Sequence, residues 1–194
     1  MRKITRGLIV LCACLLGLAW AAGDESQSAM RGSADLNGDG KAETIAITWK
    51  EGQQTFILQV GTQTLTERLE SADWTVEGFC VVDLNTQTRE KELEILLSTG
   101  EIYSAMRFFA FDGRTLSRVG ECQGTDVDMQ IVGAGGFLYF RTWEGFWQLT
   151  RKFALNPKTH RLEEVPQPGY YVGAGGTVKQ GQPIYATREK KTVV

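Results

Sequence analysis

One short segment carries side-chain oxygen atoms at a spacing that suits a cation. It reads Asp-Leu-Asn-Gly-Asp-Gly-Lys-Ala-Glu, residues 35–43. Calcium takes about six to eight oxygen ligands, and alternate positions of a loop that coils around the ion can each supply one. The predicted ligands are the side chains of Asp35, Asn37, Asp39 and Glu43 and the backbone carbonyl of Lys41. We therefore predict calcium as the cofactor of this loop.

The residue types in the segment give this spacing a physical reason. Three carboxylates so close together repel one another strongly unless a cation lies between them. Gly40 permits the positive φ of a sharp turn, which a residue with a Cβ resists. Asn-Gly and Asp-Gly turns without a metal use the same residue types. A plain turn is therefore the alternative to a metal site.

The residues after the loop separate it from the EF-hand. That motif needs a bidentate Glu at its twelfth position and a helix on each side. Ala46 stands at that position, and residues 44–49 alternate like a strand. The stretch Ala34 to Thr48 instead resembles the calcium loop of FG-GAP or VCBS repeats, found in integrin-α-like propellers, although Glu43 stands where Asp is commoner. The resemblance implies bound calcium, an extracellular propeller-like architecture and a role in adhesion or ligand binding.

The rest of the chain repeats this plan of a loop followed by strands. Apolar and polar residues alternate along most of it, which predicts β-strands. An acidic loop followed by three strands starts at Asp35 and again at Asp83, 48 residues later, and a fainter pass without an acidic loop covers residues 131–167. Repeats of this size suit propeller blades, which need neighbours to bury both faces. We expect an all-β, antiparallel fold of about three propeller-blade-like repeats in an incomplete or open ring.

The second loop is a degenerate copy of the first. Asp83 and Asn85 keep the first two oxygens, Glu92 corresponds to the closing acid, and Gln87 replaces the middle one. The loop also lacks glycine and carries two bases. This pattern favours a structural remnant without metal, in which the polar side chains bond the backbone of their own loop.

The start of the chain has the pattern of a secretory signal peptide. Three bases precede the apolar run Leu8 to Ala19, and small residues surround a cleavage position after Ala21. The run is shorter than the roughly 20 residues that cross a bilayer as a helix. A bacterial lipoprotein anchor at Cys14 is the less favoured alternative. We expect a signal peptide over 1–21, a flexible leader over 22–33, the β-repeat domain over 34–169, and a C-terminal β tail, or the start of another module, over 170–194.

The charge that remains after cleavage excludes one class of partner. The full chain has 21 Lys+Arg and 23 Asp+Glu, and loss of the three bases near the N-terminus leaves a formal charge of −5. A mildly acidic surface argues against nucleic acid. No later stretch is apolar for long enough to cross a membrane, so we expect the mature chain to have no transmembrane segment.

Cysteine and aromatic residues supply further candidate sites. Cys80 and Cys122 would be the only cysteines of the mature chain, and the sequence leaves open whether they form a disulfide, which requires Cα atoms within ~7 Å. Trp143 and Trp147 flank a turn and are the aromatic residues that we expect to be exposed as a ligand surface. His160, the single histidine, is expected in an exposed loop.

Catalytic motifs are sparse. The chain lacks a GxSxG elbow, and one histidine cannot build a histidine-based metal centre. We expect a non-catalytic, secreted or cell-surface module that binds calcium and recognises an extracellular protein or polysaccharide. The alternatives are an accessory domain of a larger cell-wall protein and an extracellular hydrolase of glycosidase type. The acids that could form its catalytic pair are Asp112, Glu121, Asp126 and Asp128.

Overall fold

The described residues form three antiparallel sheets. The computed structural model describes residues 27–100, 104–124, 136–144 and 147–169. The strands in these residues are β1 Gln27–Ala34, β2 Glu43–Lys50, β3 Thr55–Val60, β4 Gln63–Arg68, β5 Thr75–Val82, β6 Glu92–Ser98, β7 Ser104–Phe111, β8 Leu116–Gly124, β9 Leu138–Glu144, β10 Trp147–Asn156 and β11 Arg161–Glu164. Sheet A has the order β1-β2-β3-β4, sheet B the order β5-β6-β7-β8, and sheet C the order β11-β10-β9.

The prediction of an all-β, antiparallel fold is confirmed. The described part of the chain contains no helix, and its eleven strands form three separate antiparallel sheets. It follows that these residues include no helix long and apolar enough to cross a membrane. Each of the three sheets corresponds to one of the three repeats expected from the sequence. The turn at residues 50–53 is a hairpin connection, closed by the Gln53 amide, which donates to the Lys50 carbonyl at 3.1 Å.

Sheets A and B each begin one strand earlier than the sequence pattern indicates. Strand β1 pairs with β2 from Gln27 opposite Lys50 to Ala34 opposite Glu43. The prediction of a flexible leader is therefore wrong for residues 27–33. This strand is an edge strand of small and polar residues with only alternate positions half-buried, so its hydrophobic signal is weak. Strand β5 precedes the second loop in the same way.

Sheet B is packed on both faces, which explains its dense apolar sequence. Its residues on one face join those of sheet A in one hydrophobic cluster, and its other face joins sheet C in a second cluster. Phe109 contacts Phe56 of sheet A edge to face, with 6.4 Å between ring centroids. Phe108, the neighbour of Phe109 in β7, belongs to the cluster against sheet C. Successive residues of β7 therefore belong alternately to the two hydrophobic cores.

A buried arginine joins sheets A and B. Arg107 in β7 is 4% exposed, and its guanidinium contacts Glu67 at 3.3 Å and donates to the Arg68 carbonyl at 2.6 Å, both in β4. It also pairs with Glu121 in β8. A buried charge without such partners would be strongly destabilising. The network therefore fixes how β4 lies against sheet B.

The positions of the two cysteines in sheet B decide whether they can form a disulfide. Cys80 and Cys122 are not joined to each other by a disulfide. They lie on β5 and β8, the two edges of sheet B, and three strand spacings of about 4.8 Å separate those edges. The possibility of a disulfide, which the sequence left open, is therefore excluded for this pair.

Several predictions fall outside the described residues. These are the signal peptide, the Cys14 anchor, the first part of the leader, Asp126, Asp128 and the tail over 170–194.

A glycine at the contact between sheets B and C gives a test of this packing. A Cβ on Gly120 in β8 would lie 2.4 Å from Leu162 Cβ in β11. We expect Gly120→Ala to lower the free energy of unfolding by about 2 kcal/mol or more, because the sheets must separate to admit the methyl group. Urea denaturation measures the change.

Gly78→Ala is the matched control, because a Cβ there meets nothing within 4 Å. Its free energy of unfolding should stay level or rise slightly. Equal losses in the two variants would contradict the close approach of β8 and β11.

Candidate metal-binding loop

The first acidic loop is closed by the pairing of the strands on either side. Ala34, the last residue of β1, is the ladder partner of Glu43, the first residue of β2. Asp35 follows β1 directly, so Asp35 and Glu43 start close together at the base of the loop. The loop between them then curls back over this base.

Hydrogen bonds inside the loop use one oxygen of each predicted side-chain ligand. Asp35 Oδ2 accepts from the Gly40 amide at 2.8 Å, and Glu43 Oε2 accepts from the Leu36 amide at 2.8 Å. Asn37 Oδ1 accepts from the Asp39 amide at 2.9 Å, and Asp39 Oδ1 accepts from the Lys41 amide at 2.7 Å. Each carboxylate therefore keeps a second oxygen that this hydrogen bonding does not use. The Lys41 carbonyl stays a predicted ligand.

The three carboxylates converge in a geometry that could hold a metal ion. Asp35, Asp39 and Glu43 can each offer an oxygen such that these atoms lie within 4.8 Å of one another. Asp35 Oδ1 is buried and accepts no hydrogen bond from the part of the protein that the structure describes. A buried carboxylate oxygen without a donor is costly unless a cation or another partner satisfies it. The donor set is oxygen alone, which fits calcium rather than a metal that prefers nitrogen or sulfur.

Two glycines give the loop its path. Gly38 has φ 72° and Gly40 has φ 88°, both in the left-handed region. A Cβ on Gly38 would lie 2.5 Å from Arg89 Cβ in the second loop, whereas a Cβ on Gly40 would meet nothing within 4 Å. Glycine is therefore favoured at position 40 only because of its positive φ. At position 38 a side chain would, in addition, collide with Arg89 of the second loop.

The second loop repeats backbone hydrogen bonds of the first loop but lacks its cluster of three acids. Glu92 Oε2 accepts from the Leu84 amide at 2.9 Å, as Glu43 does from Leu36. Asn85 Oδ1 accepts from the Gln87 amide at 3.3 Å. Among the residues that the structure describes, the only cluster of three metal-ligating acidic, histidine or cysteine side chains is the one in the first loop. The second loop thus satisfies its own backbone, as its sequence suggested, and its described acids Asp83, Glu90 and Glu92 form no such cluster.

The two loops meet and enclose an open pocket. The Lys91 amide donates to the Leu36 carbonyl at 2.8 Å. The pocket has a volume of about 370 Å³. Its lining consists of Asp35, Gly38, Asp39, Gly40, Asp83, Thr88, Arg89 and Lys91. Acids and bases therefore face one space beside the cluster of Asp35, Asp39 and Glu43.

Burial perturbs two glutamates that sequence analysis did not single out as titrating groups. Glu92 and Glu94 lie on β6 and are 2% and 5% exposed. Burial raises the pKa of each to about 7. Glu94 accepts a hydrogen bond from Cys80 Sγ at 3.2 Å, a weak donor. The alternation Glu-Leu-Glu-Ile could have indicated a half-exposed strand, but packing on both faces buries both acids.

The predicted hydrolase acids do not form a pair where they are described. Asp112 lies exposed in the β7–β8 turn, where hydrogen bonds from the Thr115 and Arg114 amides lower its pKa. Glu121 lies in β8 and is held by Arg107. The strand rise of about 3.3 Å per residue puts the two acids roughly 15 Å apart. A glycosidase pair needs a separation of about 5–9.5 Å.

The remaining candidates lie away from the loop. His160 is exposed in the β10–β11 turn as expected, with φ 50°. The ladder of sheet C pairs Trp143 with Gln148 and Trp147 with Glu144, so the two tryptophans occupy neighbouring pairs. Their side chains are outside the described part of the structure. Cys122 is buried, which raises the pKa of its thiol to about 12 and leaves it unreactive.

Comparison with protein-family models, with curated proteins and with solved structures found no match. The functional argument therefore depends on the loop and its surroundings.

The buried glutamates predict a pH dependence of stability. The folded pKa of Glu94, about 7, exceeds its ordinary value of 4.5, so its stabilising contribution is complete below about 4.5 and is lost as pH rises through 7. We expect Glu94→Gln, which keeps the neutral form at every pH, to reduce the fall in unfolding free energy between pH 5 and 7 by about 1.4 kcal/mol per pH unit at most.

Urea denaturation across this pH range measures the effect. Glu51→Gln is the control, because Glu51 is exposed in a hairpin turn and should leave the profile unchanged. Parallel profiles for wild type and Glu94→Gln would show that Glu94 does not titrate in the folded protein near neutrality.

The glycines of the loop give a second prediction. An alanine at positive φ costs about 1–2 kcal/mol, and we expect that loss for Gly40→Ala. Gly38→Ala should lose at least about 1 kcal/mol more, because its Cβ also collides with Arg89. Equal losses, measured by urea denaturation with a calcium chelator present, would rule out the contact between the loops.

Proposed function

We propose that the loop from Asp35 to Glu43 binds one calcium ion and that the protein is a calcium-stabilised β-repeat module of FG-GAP or VCBS type. The observation that carries the proposal is Asp35 Oδ1, a buried oxygen to which none of the described residues donates a hydrogen bond, beside two further carboxylates. A cation between these groups removes both the unsatisfied oxygen and the repulsion.

Calcium fits this loop better than magnesium does. The predicted set supplies five oxygens from consecutive alternate positions, without any symmetry imposed by the protein. Calcium accepts such irregular arrangements at about 2.3–2.6 Å, whereas magnesium demands a near-ideal octahedron and keeps several waters. The loop is also partly exposed, so the ion can enter from solvent.

The role of the ion is structural. It would bind at the junction of β1 and β2, where the loop also contacts the loop that precedes β6. A ligand that binds only the folded chain stabilises it by mass action, by about 2.7 kcal/mol at a concentration 100 times its dissociation constant. Calcium therefore holds the first repeat in place against the second.

We further propose that the module works outside the cytoplasm and recognises a protein or polysaccharide without catalysis. The support for export is the N-terminal sequence, with its bases, apolar run and small residues. Extracellular calcium is abundant enough to fill a site of modest affinity. The support for recognition is the resemblance of the loop to repeats that serve in adhesion.

Thermal unfolding with excess calcium and with chelator tests the metal site. Calcium should raise the midpoint of the wild-type protein by about 5–10 °C, from the mass-action gain and the usual entropy of unfolding for a domain of this size. The variant Asp35→Asn, Asp39→Asn should show no calcium-dependent shift.

The control variant Glu51→Gln, Asp73→Asn removes two negative charges at exposed positions. It should keep the full calcium shift. If wild type shows no shift, or if the loop variant keeps it, the segment is a plain turn and the proposal fails.

A further inference from the structure

The second loop contributes positive charge to the pocket beside the first. Arg89 and Lys91 line the same space as Asp35 and Asp39. These bases follow Gln87, which replaces the middle acid of the first loop, and precede Glu92 at the start of β6. From the sequence alone, the two bases indicate only that the second loop is a degenerate copy of the first. In the structure, they line the pocket that the two loops enclose.

Within the described residues, no ion pair involves the side chain of Arg89 or of Lys91. Their backbones, in contrast, are held against the first loop. The Lys91 amide donates to the Leu36 carbonyl at 2.8 Å, and Arg89 packs against Gly38. Two cationic side chains thus start from fixed positions at the edge of an open pocket.

The charge balance of the pocket depends on the metal. The three acids that line the pocket, Asp35, Asp39 and Asp83, and Glu43 of the adjoining cluster carry four formal negative charges in total, and Arg89 and Lys91 offset only half of them. A calcium ion neutralises the remainder. Five predicted loop ligands also leave at least one of the about six to eight coordination positions of calcium for another oxygen. The calcium-loaded pocket is therefore neutral and can accept an anion that the metal-free pocket would repel.

The lining of the pocket indicates what kind of anion fits. Pockets for small organic molecules are lined mostly by apolar and aromatic side chains. Every lining residue here is charged, glycine or threonine. Such a lining offers nothing to the face of a sugar ring but suits a single carboxylate, which arginine binds through paired hydrogen bonds.

We propose that this pocket binds a glutamate or aspartate side chain of a partner protein, with one carboxylate oxygen on calcium and the other facing Arg89 and Lys91. This inference rests on the proposed calcium site. It assigns the second loop a binding role and limits recognition to acidic peptide segments presented on an exposed surface.

The probe is a short glycine-flanked peptide that contains one glutamate, titrated into the isotopically labelled full protein in excess calcium. Amide signals of Gly38 and Gly40 report binding by NMR. We expect saturable shifts with the glutamate peptide and none with its glutamine counterpart. Arg89→Gln, Lys91→Gln should weaken binding at least tenfold, and chelator should abolish it.

The calcium-dependent shift of the thermal midpoint separates the two proposals. The double variant should keep that shift, because neither side chain is a predicted calcium ligand. If calcium binds but the peptide shifts no signals, the carboxylate site is wrong while the metal site stands. Should the double variant fail to fold, Arg89→Gln alone gives the same comparison. Binding of glucuronate without binding of the peptide would overturn the assignment to protein.

Discussion

A glutamate at the start of the second strand of sheets A and B holds the preceding loop closed. Glu43 accepts the Leu36 amide in the first loop, and Glu92 accepts the Leu84 amide in the second. Each bond ties the loop to the strand that follows and positions its leucine in the adjacent core. Leu36 is 1% exposed and Leu84 is 2% exposed, one in each hydrophobic cluster. Loop closure and sheet packing thus depend on the same interaction.

The two repeats neutralise this glutamate in different ways. Glu43 shares its site with two further carboxylates, and the proposed answer to their repulsion is a calcium ion. Glu92 belongs to no such cluster among the described residues and is 2% exposed, so that burial, aided by the charges of Asp83 and Glu90, raises its pKa to about 7 and favours the protonated form. Rising pH therefore weakens the second arrangement, whereas metal binding to carboxylates improves as they lose their protons. The repeats share a backbone design but respond to different solution conditions.

Much of the fold could be predicted because most strands alternate clearly. Ile45, Ile47, Phe56 and Leu58 have the period of two that a half-buried strand needs, and the structure buries all four. Strand β1 escaped prediction because small and polar residues at a sheet edge carry little hydrophobic signal. Strand β5 escaped because a bulge between Val76 and Gly78 breaks its alternation.

The candidate site, like the fold, could be predicted from the sequence only in part. The convergence of Asp35, Asp39 and Glu43 follows from local spacing, so sequence alone could predict it. The contact of Arg89 with Gly38 depends on how sheets A and B stack, which no local pattern encodes. The edge positions of Cys80 and Cys122 likewise follow from strand order. Spacing along the chain thus predicted the ligands, and only the stacking of sheets showed what surrounds them.

The most direct test of the calcium site is a crystal structure of the protein grown with millimolar calcium, with anomalous scattering used to locate the ion. The account predicts one ion in the first loop, with Asp35 Oδ1 and oxygens of Asp39 and Glu43 among ligands at about 2.3–2.6 Å. A well-ordered loop without an ion, with Asp35 Oδ1 hydrogen-bonded to water instead, would contradict it.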